Sequence, residues 1–336
     1  MIASLAARYL SELDMFMRQI VDSAPQEPEF AVMLRYPLGW VDAQGSPYNH
    51  PTGKRIRPLL LLLCAEATGG DWRQAIPAAA AVELLHNFSL IHDDIQDDSP
   101  TRHNRPTVWK IWGRSQAINA GDAMFSLAYV ALQRLAQSTA TSPVALKCWD
   151  IFNRTCLELT RGQHLDMRFE SQQQVTVDEY LSMISGKSAA LIGAAAELGA
   201  LIGSGSENTA AHFASFGYNL GMAFQIHDDI LGIWGDPSVT GKSAATDIIS
   251  RKKSLPVLYG LSKSPELVQV YAKPNFSDAD VAEAVRLLNS VNALDYTRQS
   301  EEVYYRKALD SLGQGSSGRA YDDLAELSEA LFARTY

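Results

Sequence analysis

The sequence is poor in cysteine, and the few cysteines it has do not form the pattern of a metal site. Cys64, Cys148 and Cys156 lie in apolar stretches, and their spacing matches no Cys/His zinc motif. A thiol in such a stretch behaves as a small, buried apolar side chain. Because free thiols persist where the surroundings are reducing, we expect the protein to be cytoplasmic.

The sequence also lacks a long, uninterrupted apolar run. Its candidates, Leu59–Leu63 and Ala78–Val82, are far shorter than the roughly 20 residues that cross a membrane as a helix. Charged residues interrupt the apolar pattern of residues 1–21, which argues against a secretory signal peptide. We therefore expect no membrane-spanning segment.

Positive charge is in the minority as well. The formal net charge is −9, which disfavours nucleic acid and anionic membrane as partners. A small anionic substrate that is gathered by a local group of cations is compatible with this balance. With 336 residues, of which 46% are hydrophobic, the chain can bury a large core as one large domain or two ordinary ones.

Helical periodicity accounts for most of the chain, and no strand pattern of comparable length occurs. We predict a proline- and glycine-rich loop over residues 25–51 and a mobile polar lid over residues 235–253. Pro58 is expected in the first turn of the helix that follows the loop. Helices are predicted over residues 3–22, from about 58, and over 72–98, 115–137, 142–170, 177–203, 207–235 and 279–336.

One five-residue stretch, Ile-His-Asp-Asp-Ile, occurs twice, at Ile91–Ile95 and at Ile226–Ile230. Residues three and four apart share a helix face, so Asp93, Asp94 and Asp97 place their carboxylates over one turn. Apolar sequence precedes both copies, which indicates that the helices face a core. Carboxylates on such helices need a partner.

Asp228 and Asp229 form the equivalent group in the second copy. Mg²⁺ prefers oxygen ligands and is typically held by carboxylates together with substrate phosphates. The repeat therefore predicts a magnesium-bridged phosphate site with two acidic walls. The alternative is a pair of solvated acidic helix ends, which is the commoner fate of an isolated aspartate run.

Groups of cations accompany the acidic repeat. Residues 53–58, Gly-Lys-Arg-Ile-Arg-Pro, place three cations at the start of a helix, a position that favours anions. Residues 102–105, Arg-His-Asn-Arg, follow the first acidic copy, where cations can reach phosphate oxygens that metals leave free. Lys242 and Lys252 belong to the predicted lid. A solvated basic loop is the alternative for residues 53–58.

The order of these motifs resembles the trans-isoprenyl diphosphate synthases, or polyprenyl synthetases, and most of all those that make geranylgeranyl diphosphate. Asp93–Asp97 and Asp228–Gly232 are similar to the two aspartate-rich motifs of that family, and residues 53–58 are similar to its GKxxRP element. The resemblance implies an all-α fold, an isoprenoid synthase helical bundle around a central cavity, formed by residues 1–336 as a single domain. It also implies a homodimer, three Mg²⁺ ions, and isopentenyl diphosphate and an allylic diphosphate as substrates.

The same resemblance implies a role for each matching position. The expected metal ligands are Asp93, Asp94, Asp97 and Asp228, with Asp229 supporting the second wall. The residues expected to hold the allylic diphosphate or to close over it are Arg102, Lys187, Ser188, Gln225, Lys242 and Lys252, and Asp166, one turn after Gln163, matches a further polar position near the metals. The residues expected around isopentenyl diphosphate are Gly53, Lys54, Arg57, His86 and His103. The expected catalytic set is Asp93, Asp94, Asp97, Arg102, Lys187, Asp228 and Lys242.

The implied reaction needs no protein nucleophile. Metals and cations stabilise the departing diphosphate, an allylic carbocation forms, and the isopentenyl double bond attacks it before a proton leaves. The departing diphosphate is the expected proton acceptor, so no histidine is assigned as a general base.

Product length is predicted from the helix before the first motif. Phe88 is bulky and Ser89 is small, and they stand five and four positions before Asp93, as in twenty-carbon synthases. Phe88 is therefore expected to form the floor of the product pocket. The alternative is that Phe88 is ordinary core packing, and the alternative products are farnesyl or longer polyprenyl diphosphates.

Two residues depart from the family pattern. Gly232 stands where the second motif usually has a third aspartate, and Asp236 is the candidate to compensate for it. His103 stands where a second arginine would contact isopentenyl diphosphate, so affinity there is expected to depend on pH. Arg105 is the candidate substitute for that arginine.

Three other functions share parts of this pattern. A class I terpene cyclase would not need residues 53–58, and its second motif normally carries Asn, Ser and Glu ligands. A metal phosphohydrolase would use His92–Asp93 and His227–Asp228 as ligand pairs. A regulatory subunit of a heteromeric synthase usually loses aspartates, whereas this chain keeps its first motif whole. His92 and His227 are better explained as helix-packing groups or as groups that support the ligands.

Overall fold

The computed structural model describes residues 2–25, 27–48, 53, 55–137, 142–172, 174–235 and 245–332. Lys54, Asp236 and Lys242, for which roles are predicted above, lie outside these ranges, as do residues 236–244 of the predicted lid. The described residues are mostly helical, so the all-α prediction is confirmed. The described strands are a hairpin of two very short segments, β1 (Thr101–Arg102) and β2 (Arg105–Pro106).

Every predicted helical segment contains helix, but the segment predicted over residues 279–336 is divided into three helices in its described part, and residues 255–271 form two helices that were not predicted. In chain order the α-helices are α1 (Ile2–Asp22), α2 (Pro28–Arg35), α3 (Ile56–Ala67), α4 (Ile76–Gln96), α5 (Val108–Trp112), α6 (Arg114–Gln133), α7 (Ser142–Ser171), α8 (Val177–Ile184), α9 (Ala190–Ser204), α10 (Glu207–Trp234), α11 (Thr246–Ile249), α12 (Leu255–Lys263), α13 (Pro265–Tyr271), α14 (Asp278–Ser290), α15 (Ala293–Gly315) and α16 (Arg319–Phe332). Two 3₁₀ turns (Trp72–Ala75 and Arg134–Gln137) and one π-helical turn (Ser185–Ala189) extend or join them.

The helix in the proline-rich stretch was not expected, because residues 25–51 were predicted as loop. Pro28 begins α2, where its missing N–H costs no helical hydrogen bond and its fixed φ suits the first turn. Ala31, Met33 and Leu34 bury one face of the helix. Pro28 therefore begins this helix and does not prevent it.

The chain divides into two compact units. The first consists of Met1–Asn153 and Ala195–Ala211, and in it α4 packs along α6 and against α3 and α1. Five leucines at the start of α3, Leu59–Leu63, are almost completely buried. The alanines of Ala78–Ala81 are fully buried in α4, where their small side chains let neighbouring elements approach. This packing fixes the end of α4, which carries the first acidic motif.

The second unit consists of Arg154–Ala194 and His212–Tyr336. Its α8 begins with a capping box in which Thr176 and Glu179 satisfy each other's backbone N–H groups. One core cluster joins Tyr180 of α8 to Ile226 of α10 and Leu255 of α12. Because α10 is anchored in this core, the second acidic motif near its end has a fixed position within the unit.

The three cysteines are free and buried, as predicted. Burial raises the pKa of Cys64 well above its ordinary value, and burial together with the charge of Glu197 raises the pKa of Cys148 to about 12. Both thiols therefore stay protonated at neutral pH. No helix in the described part of the chain combines the length and the apolar character that crossing a membrane requires.

Candidate active site

The first unit contains a cavity of about 170 Å³ that polar residues line from four parts of the chain. The predicted site residues that line it are Gly53, Arg57, His86, Asp94, Arg102 and His103. The cavity thus brings together every described residue that was predicted around isopentenyl diphosphate. Two further arginines, Arg55 and Arg105, also line it, and guanidinium groups are well suited to phosphate oxygens.

The chain enters α3 through two left-handed residues. Gly53 has φ +78° and Arg55 has φ +46°, so the backbone turns sharply before the first helical residue, Ile56. This turn places Arg57 in the first turn of α3, beside backbone N–H groups that have no partner within the helix. The guanidinium of Arg55 lies 2.8 Å from an oxygen of Asp14 on α1, and this ion pair ties the turn to the rest of the unit.

Arg57 and His86 form a direct contact in the cavity wall. Arg57 Nη1 lies 3.2 Å from His86 Nε2. Since a guanidinium only donates hydrogen bonds, Nε2 accepts here and carries no proton. Burial lowers the pKa of His86 well below its ordinary value, and the positive charges of Arg57, Arg102 and His103 lower it further. His86 is therefore a neutral imidazole with its proton on Nδ1.

Among the charged residues that line the cavity, Glu83 was not predicted. Glu83 is 4% exposed and stands one turn before Asn87 on α4. Burial raises the pKa of Glu83, while the charges of Arg55 and Arg57 oppose the increase, and Asn87 Nδ2 donates to its Oε1 at 3.3 Å. A carboxylate in an otherwise apolar run was the signal in the sequence. The two arginines whose charges act on it come from the start of another helix, α3.

The hairpin of β1 and β2 carries the second group of cations. His103 (φ +50°) and Asn104 (φ +59°) form its two-residue turn, and the strands pair Arg102 with Arg105. Arg105 stacks 3.9 Å from the ring centre of Tyr36 and donates to the carbonyl oxygen of Val41 at 2.9 Å. Arg105 lines the cavity, but its guanidinium is already used in contacts that hold the hairpin. These contacts argue against Arg105 as the substitute for the arginine that His103 replaces.

The first acidic motif ends α4, and Arg102 contacts it. Asp94 is 5% exposed, and Arg102 Nε and Nη2 lie 2.9 and 2.8 Å from its Oδ1. Arg102 Nη2 also lies 3.4 Å from Asp93 Oδ2. Burial raises the pKa of Asp94, Arg102 opposes this effect, and Asp93 adds to it. Asp97 is exposed at the end of the helix, where its N–H donates to the carbonyl oxygen of Asp93.

The two aspartates of the second motif differ in accessibility. Asp229 is 1% exposed and accepts hydrogen bonds from the Tyr180 hydroxyl, from Leu255 N at 3.1 Å and from Gln225 Nε2 at 3.3 Å. Burial raises the pKa of Asp229 to about 6, against the opposing charge of Lys252 and these hydrogen bonds. Asp228 is partly exposed. Asp229 therefore supports the motif from the interior, and Asp228 can reach a ligand.

A π-helical turn positions Lys187 in the second unit. The turn spans Ser185–Ala189, and such turns often occur at functional sites. It packs directly against Gly162 of α7, where an added Cβ would lie 2.1 Å from the backbone nitrogen of Lys187. Lys187 Nζ consequently lies 2.5 Å from Asp166 Oδ2, one turn after Gly162. The adjacent Ser188 hydroxyl donates to Gln225 Oε1 at 2.6 Å.

Lys252 is influenced by the charges of several carboxylates of this unit. Its side chain is accessible to solvent. Surrounding protein atoms alone would lower the pKa of its ammonium group, but the charges of Asp247, Asp229, Asp166 and Asp228 outweigh that effect and raise the pKa. The neighbouring Lys253 donates instead to backbone carbonyls at the end of α7, including that of Glu170 at 3.3 Å. Lys252 is thus the cation of this pair that faces the acidic groups.

The histidines beside the two motifs contact other helices. His227 is 2% exposed, and its Nδ1 lies 3.0 Å from an oxygen of Glu301. His92 Nε2 lies 3.3 Å from the carbonyl oxygen of Ile118 on α6. Both contacts fit the expected packing role and give no support to the ligand pairs of a phosphohydrolase.

The donor set fits Mg²⁺ that is shared with a phosphate ligand. Among the residues that the structure describes, no three His, Cys, Asp or Glu side chains converge to hold a metal by themselves. Mg²⁺ usually keeps water and takes one or two carboxylates together with substrate phosphates. In the first unit, Asp93 and Asp97 offer hard oxygen ligands of this kind and would hold such an ion. In the second unit, the partly exposed Asp228 would do the same.

Comparison with known proteins identifies the class of this chain. The model of the polyprenyl synthetase family matches residues 40–288. This chain belongs to the polyprenyl synthetase family, and it is an isoprenyl diphosphate synthase, a prenyltransferase. The family membership agrees with the resemblance that the motifs indicated, and it displaces the cyclase, phosphohydrolase and regulatory-subunit alternatives.

Individual relatives differ in the product that their names give. A geranylgeranyl diphosphate synthase of Mycobacterium tuberculosis is 43% identical over 92% of this chain and 87% of its own length. A (2E,6E)-farnesyl diphosphate synthase of the same organism is 37% identical over 95% of this chain and 89% of its own length. The structure of a polyprenyl synthetase from Streptomyces coelicolor has a TM-score of 0.91 and 35% identity, covering 98% of this chain and 99% of its own.

Proposed function

We propose that this enzyme joins isopentenyl diphosphate head to tail to allylic diphosphates in a magnesium-dependent reaction, with geranylgeranyl diphosphate as its main product. The observation that carries this proposal is the position of Arg102. Its guanidinium lines the arginine-rich cavity and also contacts Asp93 and Asp94 of the first acidic motif. One cation therefore joins a site suited to a diphosphate with carboxylates suited to a metal.

The residues of the first unit divide between two tasks in this proposal. Arg57, His103 and Lys54 bind the diphosphate of isopentenyl diphosphate, and neutral His86 orients Arg57 through its Nε2. Arg102 turns from Asp94 toward phosphate oxygens when substrate and metal bind. Guanidinium groups bind phosphate oxygens in the same two-pronged geometry that they use for carboxylates, so this exchange keeps the charge of Arg102 compensated.

The residues of the second unit stabilise the leaving group. Lys187, Lys252 and Lys242 bind allylic diphosphate oxygens, and Asp228 would hold a Mg²⁺ ion. When bound, Mg²⁺ withdraws charge from the departing diphosphate. The lysine ammonium groups add preorganised positive charge where negative charge develops, which is the usual source of large rate enhancements. The departing diphosphate takes the proton at the end.

A row of aromatic rings supports the twenty-carbon product. The ring centre of Phe88 on α4 lies 4.9 Å from that of Phe125 on α6. Phe125 lies 5.2 Å from Tyr129, and Tyr129 lies 5.3 Å from Phe152. Phe88 is therefore backed by further rings and cannot swing aside easily. This rigidity is what a floor that stops chain growth requires.

Farnesyl diphosphate is the second candidate product. The relative named as a (2E,6E)-farnesyl diphosphate synthase covers nearly the whole chain, and its presence beside geranylgeranyl diphosphate synthases leaves product length to be measured. Phe88 would then stop growth one five-carbon unit earlier.

We further propose that the enzyme works as a homodimer in the cytoplasm. Large apolar side chains are exposed on two helices, namely Ile118 on α6 and Leu146 and Leu157 on α7, with Leu146 and Leu157 at least 70% exposed. Contiguous exposed apolar groups mark surfaces that bind another protein, and these side chains are the candidates for such a surface. Light scattering of the purified protein gives the mass that tests this assembly.

The reaction itself is tested by incorporation of labelled isopentenyl diphosphate. The label should enter an acid-labile allylic product only when an allylic diphosphate and Mg²⁺ are both present. EDTA should abolish incorporation, and excess Mg²⁺ should restore it. Consumption of the allylic diphosphate without isopentenyl diphosphate, with hydrocarbon, alcohol or inorganic phosphate as product, would overturn the proposal.

A further inference from the structure

In the second unit, the Asp247 side chain occupies the space directly beside Gly232. An ideal Cβ at Gly232 would lie 2.5 Å from Asp247 Cγ, 2.6 Å from its Oδ2 and 2.7 Å from its Oδ1. Real side chains do not approach this closely, so no residue other than glycine fits at position 232 while Asp247 keeps its place. The Asp247 carboxylate therefore fills the volume that a side chain at position 232 would use.

The backbone does not require glycine at this position. Gly232 lies inside α10 and is not among the residues with positive φ. Glycine inside a helix is less favourable than alanine. What Gly232 provides is room for Asp247. Since position 232 lies one turn after Asp228, the carboxylate that enters this room comes to the same face of α10 as Asp228.

Packing and charge hold Asp247 there. The short helix α11 that carries it follows Ala245, and Ala245 (6% exposed) and Ile248 (0%) are both buried in the core of the unit. The backbone carbonyl of Asp247 accepts a hydrogen bond from Lys252 N at 2.8 Å. The charges of Asp247 and Asp228 both contribute to raising the pKa of Lys252, so this cation partly offsets the repulsion between the two acidic groups.

We propose that Asp247 supplies the third carboxylate of the second acidic wall in place of a residue at position 232, and that Gly232 is needed to admit it. The ligand of this carboxylate is a divalent cation bound to diphosphate, either directly or through a water molecule. The inference rests on the proposed magnesium-dependent function. It replaces the expectation that Asp236 compensates for Gly232.

The test measures divalent cation binding apart from turnover. Mn²⁺ binding in the presence of inorganic diphosphate is followed by electron paramagnetic resonance of the free ion. The variants are Asp247→Asn, Gly232→Asp and the double variant Gly232→Asp/Asp247→Ala. The matched control is Asp310→Asn, which changes an exposed aspartate on α15 of the same unit.

Each single variant should weaken Mn²⁺ binding by about 10- to 100-fold, as loss of a group that supports a metal site does. Asp247→Asn keeps the shape of the side chain, so its effect reports the lost charge. Gly232→Asp should displace Asp247, and the double variant should bind Mn²⁺ within a few-fold of the wild type because its carboxylate at position 232 has room. Asp310→Asn should bind as the wild type does.

Two results would overturn the inference: wild-type binding by Asp247→Asn, or a double variant that binds no better than the weaker single variant. Circular dichroism and metal-free thermal melting identify a variant that has not folded. If the variants at position 232 do not fold, Mn²⁺ binding by Asp247→Asn decides the test. Failure of the wild type to bind Mn²⁺ with diphosphate and to make a prenyl product would instead refute the proposed function itself.

Discussion

Arg102 holds Asp94 through two nitrogens, Nε at 2.9 Å and Nη2 at 2.8 Å from the same carboxylate oxygen. Asp94 is buried, whereas the Arg102 side chain keeps 32% of its surface exposed. The pair thus compensates a buried charge with a cation that still reaches solvent and the cavity.

Replacing Arg102 by glutamine should destabilise the protein and reduce its activity. The loss leaves a buried carboxylate without its cation, which costs at most about 3 kcal/mol for a partly exposed partner. Asp94→Asn should recover most of that stability when combined with Arg102→Gln, because no buried charge then remains. Urea unfolding of the wild type, the two single variants and the double variant gives the coupling free energy between Arg102 and Asp94. A value near zero would show that the contact contributes nothing to stability.

The neutral state of His86 predicts a specific pH dependence of stability. Its pKa is lowered in the folded protein, whereas the unfolded chain has the ordinary value of 6.5, so the unfolded state binds more protons below pH 6.5. Stability should therefore be complete above pH 6.5 and should fall as the pH decreases, by up to about 1.4 kcal/mol per pH unit from this group.

His86→Gln should remove that contribution. We expect the difference in unfolding free energy between wild type and His86→Gln to decrease steadily from pH 7 to pH 5. The measurement is urea unfolding at each pH without metal or substrate. A difference that stays constant over this range would show that His86 is not held neutral in the folded protein.

The aromatic row predicts that product length can be extended in two steps. Phe88→Ala should give products longer than the wild type's, and Phe88→Ala/Phe125→Ala should lengthen them again because Phe125 is the next ring behind Phe88. Phe276→Ala, which changes an aromatic residue of the second unit, is the matched control and should leave product length unchanged. If both Phe88 variants made the wild-type product, Phe88 would be ordinary core.

The contact between Gly162 and the π-helical turn predicts a large effect from a single methyl group. Gly162→Ala would place a Cβ 2.1 Å from Lys187 N, so the turn must shift. We expect a loss of about 2 kcal/mol in stability, typical of overpacking, and a reduced kcat through displacement of Lys187.

Gly313→Ala is the matched control for Gly162. Gly313 lies in α15, and the nearest atom to an added Cβ, on Tyr321, is 3.9 Å away. This variant should be as stable as the wild type or more stable by up to about 1 kcal/mol, because alanine favours helix. Equal effects of the two substitutions in thermal melting would contradict the packing argument.

The sequence was sufficient to predict the helical fold and the residues that meet in the cavity. Arg57, His86 and His103 are far apart in the chain, but their motifs carry recognisable residue types in a recognisable order. Glu83 was missed, and Asp247 was included only as part of the predicted lid, because the contacts of both residues arise from tertiary packing. Nothing in the polar stretch around Asp247 indicates that it fills the space beside Gly232, fifteen positions earlier.

Local chemistry explains the remaining differences. Residues 25–51 contain many prolines, which usually indicate loop, but Pro28 stands where a helix tolerates proline. The turn of the hairpin has the pair His103–Asn104, which lacks the glycine that usually indicates such a turn. Arg105 matched the charge expected of a substitute arginine, and only its contacts with Tyr36 and Val41 show that it has another task.

The most direct test of the account is the mass of the product. Purified enzyme is incubated with Mg²⁺, isopentenyl diphosphate and, separately, the five-, ten- and fifteen-carbon allylic diphosphates, and the products are identified by mass spectrometry. We predict geranylgeranyl diphosphate, with twenty carbons, from each starter. A fifteen-carbon product would contradict the predicted length, and a product longer than twenty carbons would contradict the Phe88 floor, but both would keep the enzyme class. No elongated diphosphate from any starter would contradict the proposed function as a whole.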